Sequence, residues 1–137
     1  KLTIAMLDID DFKKVNDTYG HLVGDEILRM FAMVLKETVR SYDIVGRYGG
    51  EEFLIIFKRT GAAEVDEVIN RIRKNLQKVV PIHNIKVHFS CGISELTNET
   101  ADELIESADK KLYYVKKHGK NASVSVLPDS CVEAICK

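Results

Sequence analysis

The chain has 137 residues, 45% hydrophobic and 30% charged, which provides one domain able to bury a core and excludes two domains of ordinary size. Twenty basic residues against 21 acidic ones leave a net charge of -1, which excludes a general attraction to nucleic acid or an anionic membrane; any bound anion must meet a local site. Three cysteines without CxxC spacing, with Cys91 on an alternating apolar stripe, exclude a disulfide framework and fit a reducing cytoplasm. No run approaches the roughly 18 apolar residues of a membrane span, and the start lacks the basic lead of a signal peptide, so a soluble domain is expected. Lys1 leads almost at once into a strand, as in a piece of a longer protein.

Leu2 to Ile9 is almost continuously apolar and ends in acids, which predicts a strand covered on both faces. After a polar connection containing Gly20 and Gly24, the spacing of Ile27, Leu28, Phe31, Val34 and Leu35 predicts a first helix closing near Arg40. Ile44 to Tyr48 and Phe53 to Phe57 flank Gly49 and Gly50, residues that tolerate positive φ, and predict a hairpin. Val65, Val68, Ile69, Ile72, Leu76 and Val79 predict a second helix, stopped by Pro81. Ile85, Val87, Phe89, Cys91 and Ile93 alternate with polar or small residues, so the fourth strand is expected to bury one face and wet the other, leaving the sheet an open side. Thr100 and Glu103 form a capping box for a third helix through Leu104, Ile105, Ala108, Leu112 and Val115, with Gly119 as its stop. Ala122 to Leu127 alternates weakly as a final strand, and the tail from Pro128 has no pattern.

This order predicts an α+β fold: a ferredoxin-like, palm-type βαββαβ core extended by αβ, with a mainly antiparallel sheet and helices packed around it. Helical crossovers run the second strand parallel to the first, so the end of the first strand and the hairpin turn share one sheet edge and Asp8 approaches Glu51. That edge collects five acids: Asp8, Asp10, Asp11, Glu51 and Glu52. Two unit charges about 4 Å apart repel by roughly 4 kcal/mol at an effective dielectric of 20, so a counter-cation is called for. Oxygen-only ligands suit Mg²⁺, which takes one or two carboxylates and completes its shell with phosphate and water, so a nucleoside triphosphate is the expected partner. Alternatively, each acid is a solvated turn residue; against that, a two-glycine turn needs no pair of glutamates to fold.

Gly49-Gly50-Glu51-Glu52-Phe53 preceded by Arg47, together with the run from Asp8 to His21 and Gly24-Asp25, closely resembles the GGDEF domains of diguanylate cyclases. The resemblance continues through Ala108-Asp109, Leu112-Tyr113, Lys116 and Gly119-Lys120-Asn121, to about residue 126. It implies a catalytic domain over residues 1–127, lacking the family's segment before the first strand, and a tail over 128–137. It also implies condensation of two GTP into cyclic di-GMP, with release of pyrophosphate, by two domains facing each other in a homodimer. In the family a preceding sensory or coiled-coil region usually brings the two together, so a multidomain parent with this domain in the cytoplasm is expected.

The resemblance assigns two Mg²⁺ or Mn²⁺ ions to Asp8, Glu51 and the carbonyl of Ile9, with Glu52 helping to deprotonate the attacking hydroxyl or acting as a further ligand. It assigns guanine reading to Asn16 and Asp25, whose amide and carboxylate suit O6 and the N1-H and amine edge; locally they also read as a turn residue and a helix-start anion. Substrate contacts are further implied for Phe12, Lys13, Arg47, Lys116 and Lys120. Amides around Asp11 to Lys13 open a short helical turn fit for phosphate. Lys116 and Lys120, one helical turn apart, resemble the family's basic pair, in which arginine is usual at the second position. Lys120 loses the bidentate fork and keeps the charge. Arg40-x-x-Asp43 stands where the family keeps its inhibitory product site, with Arg71 a further contributor; as a bare string it also reads as a helix-end arginine and a turn aspartate.

A noncatalytic module that binds GTP or cyclic di-GMP is the alternative function, and it predicts a damaged metal site where Asp8, Glu51 and Glu52 stand intact. Ferredoxin-like RNA-binding modules want basic faces and stacking aromatics, which the charge balance and acidic rim do not supply, so no nucleic acid polymer is expected. His21, His83, His88 and His118 lack ligand spacing, and Cys131 with Cys136 matches no metal pattern.

Overall fold

Leu2–Ile9 forms the central strand β1 of the computed structural model, which describes residues 1–128. The expected tail beyond Pro128, with Cys131 and Cys136, lies outside the described residues. β1 is buried on both faces, as its unbroken apolar run requires, because strands flank it on each edge and helices cover each side. β3 (Glu52–Lys58) and β4 (Phe89–Glu95) pair with it antiparallel. β2 (Ile44–Arg47) lies outside β3, and β5 (Ser123–Val124) adds parallel to β4, giving the order β2-β3-β1-β4-β5. The fold is the expected α+β, ferredoxin-like arrangement with its added αβ.

α2 (His21–Thr38) and α3 (Ala62–Lys78) bury their apolar stripes on one sheet face, where Phe31 meets Phe53 and Phe89 at centroid distances of 5.2 and 5.4 Å. Each fully buried side chain there contributes roughly 1.5–3 kcal/mol. α4 (Ala101–Lys117) covers the opposite face through Leu104, Ala108 and Leu112 against Ile4 and Met6. Its capping box forms as expected: Glu103 N–H donates to Thr100 Oγ1 at 3.2 Å, and Thr100 N–H donates to Glu103 Oε1 at 3.0 Å. Among the described residues no helix is long and apolar enough to cross a membrane.

Several expectations need correction. The sheet has no open side at β4: Ser90, Gly92 and Ser94 are buried, because α4 lies directly on them. The Ser94 hydroxyl is satisfied there by Ser107 and by the Lys111 ammonium, each at 2.8 Å. β4 starts at Phe89 instead of Ile85, since His83 and Asn84 take the left-handed region in a tight turn closed by Ile85 N–H to Ile82 O at 2.9 Å. The polar connection after β1 is itself helical. It forms α1 (Phe12–Tyr19), separated from α2 by Gly20 at φ 91°, and Gly24 belongs to α2. Gly49 and Gly50 do not take positive φ; among the described glycines only Gly20 and Gly119 do. A Cβ at Gly49 would stand 3.2 Å from Glu52 Oε1, so glycine there leaves room for that carboxylate. The final strand is shorter than expected, at two residues.

The α4–β4 contact depends on Gly92, where a Cβ would fall 2.0 Å from the Ala108 carbonyl oxygen and 2.5 Å from the Leu112 nitrogen. Both are backbone atoms that cannot rotate away. Gly92→Ala is expected to cost about 1–3 kcal/mol or more through overpacking. Gly46→Ala, which enters open space, should stay within about 0.5 kcal/mol. Urea denaturation of both variants checks this, and equal midpoints would refute the close-approach account.

Candidate active site

The site grows from register. Asp8, one residue short of the end of β1, stands opposite Glu52 on β3, and Ile9 N–H donates to the Glu51 carbonyl at 3.3 Å. β2 and β1 run in the same direction because each is antiparallel to β3, so the β2–β3 turn reaches the edge where β1 ends. Arg47 ties that turn down, donating to the Gly49 carbonyl at 3.1 Å and to the Gly50 carbonyl at 3.0 and 2.6 Å. The turn closes through Tyr48 N–H to Glu52 O at 2.8 Å.

Asp8, Glu51 and Glu52 share one electrostatic neighbourhood. Burial raises the pKa of Asp8, opposed by the Lys116 ammonium 3.2 Å from its Oδ1. Burial also raises Glu51 and Glu52, and the Asp8 charge raises both further. Their carboxylates therefore ionise against a cost that a hard cation would remove. Among the described residues no three acids, histidines or cysteines close into a ready cage. Asp8, Glu51 and Glu52 offer oxygen donors, the ligand type Mg²⁺ takes alongside water and substrate phosphates. The donor set fits the ion.

The other two acids have different duties, which corrects the expectation of five crowded carboxylates. Asp10 is an internal hub: it accepts from the Ser90 hydroxyl and the Lys116 ammonium, each at 2.7 Å, and from the Asn121 N–H at 2.9 Å. Asp11 is exposed and pairs with Lys120 at 2.7 Å, a contact that holds its carboxyl below the usual range. Lys116 and Lys120 are not one helical turn apart, because α4 ends at Lys117. Gly119 at φ 107° and Lys120 at φ 60° turn the chain, and Lys120 N–H donates to the Val115 carbonyl at 3.0 Å in a Schellman closure. Both ammonium groups still reach the rim, through neighbouring aspartates.

Phe12 is a core residue whose ring packs towards Gly24, while Lys13 is exposed on the first turn of α1. The opening amides of that helix lack intrahelical acceptors. Asn16 on α1 occupies the space a side chain at position 24 would need: its Oδ1 lies 1.9 Å from where a Cβ would be, buried and without a partner. A side chain at position 24 would therefore displace the Asn16 amide. Asp25 is exposed and lines a cleft of about 430 Å³ with Arg29, Lys36, Arg47 and Phe53.

A second cleft, of about 190 Å³, brings Arg40, Asp43 and Arg71 together with Thr60. The Arg40 backbone N–H and Nε donate to Asp43 Oδ2 at 3.0 and 3.2 Å, and Arg40 Nη2 donates to the Thr60 hydroxyl. The other Asp43 oxygen is buried without a partner. Sequence reasoning missed Ser90, Arg73 and Asn121 as supports of the site. Arg73 carried a readable signal, a cation four residues from Ile69 on the stripe that α3 buries.

The model of the family described as diguanylate cyclase, GGDEF domain, matches residues 1–122. The chain belongs to this family. Diguanylate cyclase A of Treponema denticola is 41% identical over 125 residues, 88% of this chain and 34% of that protein. The chain thus spans about a third of that relative's length. Diguanylate cyclase SiaD of Pseudomonas aeruginosa, solved with its activator SiaC, superposes with a TM-score of 0.83 at 35% identity, covering 90% of this chain and 49% of that one. The GGDEF domain of DgcB from Caulobacter crescentus, solved in complex with c-di-GMP, gives 0.83 at 33% identity, covering 90% of this chain and 76% of that one.

The raised carboxyl pKa values make a signed prediction for the chain in chelator. An acid whose folded pKa exceeds its unfolded value binds its proton more tightly when folded. Stability is therefore greatest below the ordinary carboxylate range and falls as pH rises through the raised value. Glu51→Gln should raise the melting temperature at pH 7 slightly, since Glu51 is only partly buried and solvent screening leaves relief of its charge worth at most about 1 kcal/mol. The gain should fade as pH falls through the carboxylate range and Glu51 takes up its own proton. Thermal melts across pH check this; a gain independent of pH would refute the charge account.

Proposed function

We propose that this domain is a diguanylate cyclase that condenses two GTP into cyclic di-GMP, with release of two pyrophosphates, across a homodimer interface. The single observation that carries the reading is the position of Asp8 opposite Glu52, with the Glu51 carbonyl held by Ile9 N–H at the same sheet edge and the Lys116 ammonium alongside, in a chain of this family. Asp8, Glu51 and the Ile9 carbonyl would hold two Mg²⁺ or Mn²⁺ ions. Bound there, the metal supplies charge stabilisation at phosphorus and acidifies the attacking hydroxyl.

The remaining work falls to the chain. Glu52, raised in pKa by burial and by Asp8, accepts the proton of the 3′-hydroxyl. That oxygen bonds to the α-phosphorus of the GTP on the other subunit, and the bond to pyrophosphate breaks. The same exchange in the opposite direction closes the ring. Asn16 and Asp25 select guanine. Lys13, the first amides of α1, Lys116 and Lys120 hold the triphosphate, and Phe12 and Arg47 shape the pocket floor and the signature turn. Arg40, Asp43 and Arg71 form a cleft for the product, whose binding restrains turnover. The domain runs over residues 1–127 on the cytoplasmic side, where GTP is available, and a preceding region of the parent protein brings two copies together.

Enforced dimers incubated with GTP and Mg²⁺ should release pyrophosphate and cyclic di-GMP. Glu51→Ala should lower the rate by at least about 100-fold, the scale of losing an electrostatic stabiliser; equal turnover would overturn the assignment, and binding without turnover in the unsubstituted dimer would favour a noncatalytic module. Separately, Arg40→Ala should weaken cyclic di-GMP binding by about 10-fold or more, since a charge-assisted contact is worth roughly 1.5–3 kcal/mol. Calorimetry with cyclic di-GMP checks this, and unchanged affinity would move the product site elsewhere.

A further inference from the structure

Two arginines leave α3 two residues apart, which puts them about 200° apart around the helix. Arg71 lines the cleft with Arg40 and Asp43, while Arg73 turns to the end of β4. Its guanidinium lies over the Phe89 ring, 4.1 Å from the centroid. Nη1 donates to the Phe89 carbonyl at 2.7 Å and to Asn121 Oδ1 at 3.0 Å, and Nη2 donates to the Ser123 hydroxyl at 2.7 Å. Burial works against the Arg73 charge, so these acceptors and the ring face are what offset it.

The contacts continue towards the active edge. Asn121, gripped by Arg73 through its side chain, donates its backbone N–H to Asp10 Oδ2 at 2.9 Å. Asp10 Oδ1 in turn accepts from Lys116 at 2.7 Å, and Lys116 lies 3.2 Å from Asp8. The segment between needs such a hold, because Lys120 and Asn121 stand at φ 60° and 46°, a region that costs residues with a Cβ about 1 kcal/mol or more each. Arg73 and Asp10 clamp Asn121 from two sides, and no other hydrogen bond to its side chain is seen among the described residues.

We propose that Arg73 is a positioning residue: by holding Asn121 against Asp10 it fixes the station of the Lys116 ammonium and the path of the turn bearing Lys120, and so sets affinity for a nucleoside triphosphate. The inference rests on the reading of the edge as a GTP site. Lysine cannot substitute, because one ammonium on a flexible stem cannot span three acceptors and stack on Phe89.

The test titrates GTP with Mg²⁺ into the 137-residue chain and its Arg73→Gln, Arg73→Lys and Asn121→Gly variants, with amide hydrogen exchange followed in parallel. Asn121→Gly keeps the left-handed backbone and removes only the acceptor, so it carries the test if Arg73→Gln fails to fold. Each variant should bind GTP about 5- to 30-fold more weakly, the factor set by one or two kcal/mol. Exchange at Asn121 should accelerate while β1 amides keep their protection, and Arg73→Gln should add little in the Asn121→Gly background. Unchanged GTP affinity in both Arg73→Gln and Asn121→Gly overturns the proposal, as does a uniform rise in exchange across the sheet, which would mark a merely structural role. If the unsubstituted chain takes up no GTP while Asn121 exchange still answers to Arg73, the GTP reading fails and the role in affinity falls with it, leaving only the clamp.

Discussion

The pairing of β1 with β3, in which Asp8 falls opposite Glu52, is the constraint on which the rest of the molecule depends. A slip of one residue would exchange the two faces of β1, driving Asp8 into the apolar layer where Leu7 and Ile9 now sit. Pairing with β4 locks the same register a second time, with Ser90 opposite Asp8. Because β1 is buried on both faces, neither pairing can shift without unpacking a core cluster. A candidate site mounted on such a strand inherits its rigidity, whereas the same carboxylates on free loops would drift apart under their own repulsion.

Charge is arranged around that strand end in two tiers that share one lysine. Asp8, Glu51 and Glu52 form the outer tier, raised in pKa and open to a cation. Asp10 forms the inner tier, nearly closed to solvent and satisfied by three donors from β4, α4 and the turn after α4. Lys116 bridges the tiers. Removal of its ammonium would leave Asp10 buried with one fewer donor and Asp8 without a counter-charge, so its structural and electrostatic contributions cannot be separated by a single deletion.

Periodicity carried the apolar stripes well and the small residues poorly. β1, α3 and the capping box of α4 follow directly from runs, three-and-four spacing and Thr100 with Glu103. The polar side of β4 misled because Ser90, Gly92 and Ser94 look wet by type and are dry by packing, and only the approach of α4 decides between the two. Gly24 read as loop for the same reason: its purpose, room for Asn16, lies eight residues away on another helix. That Asp8 and the signature turn share one sheet edge was legible from topology alone. The sorting of Asp10 and Asp11 away from that cluster was not, because it depends on a turn beyond residue 117 whose path follows from left-handed residues without a glycine at each.

Among the described residues, two buried side-chain oxygens have no hydrogen-bond partner, and they are Asn16 Oδ1 and Asp43 Oδ1. Leaving a buried acceptor unpaired costs roughly 1–3 kcal/mol, a sizeable share of the net stability of one domain. Chance would scatter such costs over the molecule. Instead one lies where α1 meets α2, against Gly24, and the other in the cleft with Arg40 and Arg71. Guanine offers an N1-H and an exocyclic amine on one edge, donors suited to a carboxylate oxygen such as that of Asp43. Both residues stand where the resemblance assigns contact with a guanine nucleotide, substrate at one and product at the other. On the proposed reading the Asp43 oxygen is the acceptor a product guanine would use, whereas Asn16 Oδ1, turned onto Gly24, is a cost of packing α1 closely on α2.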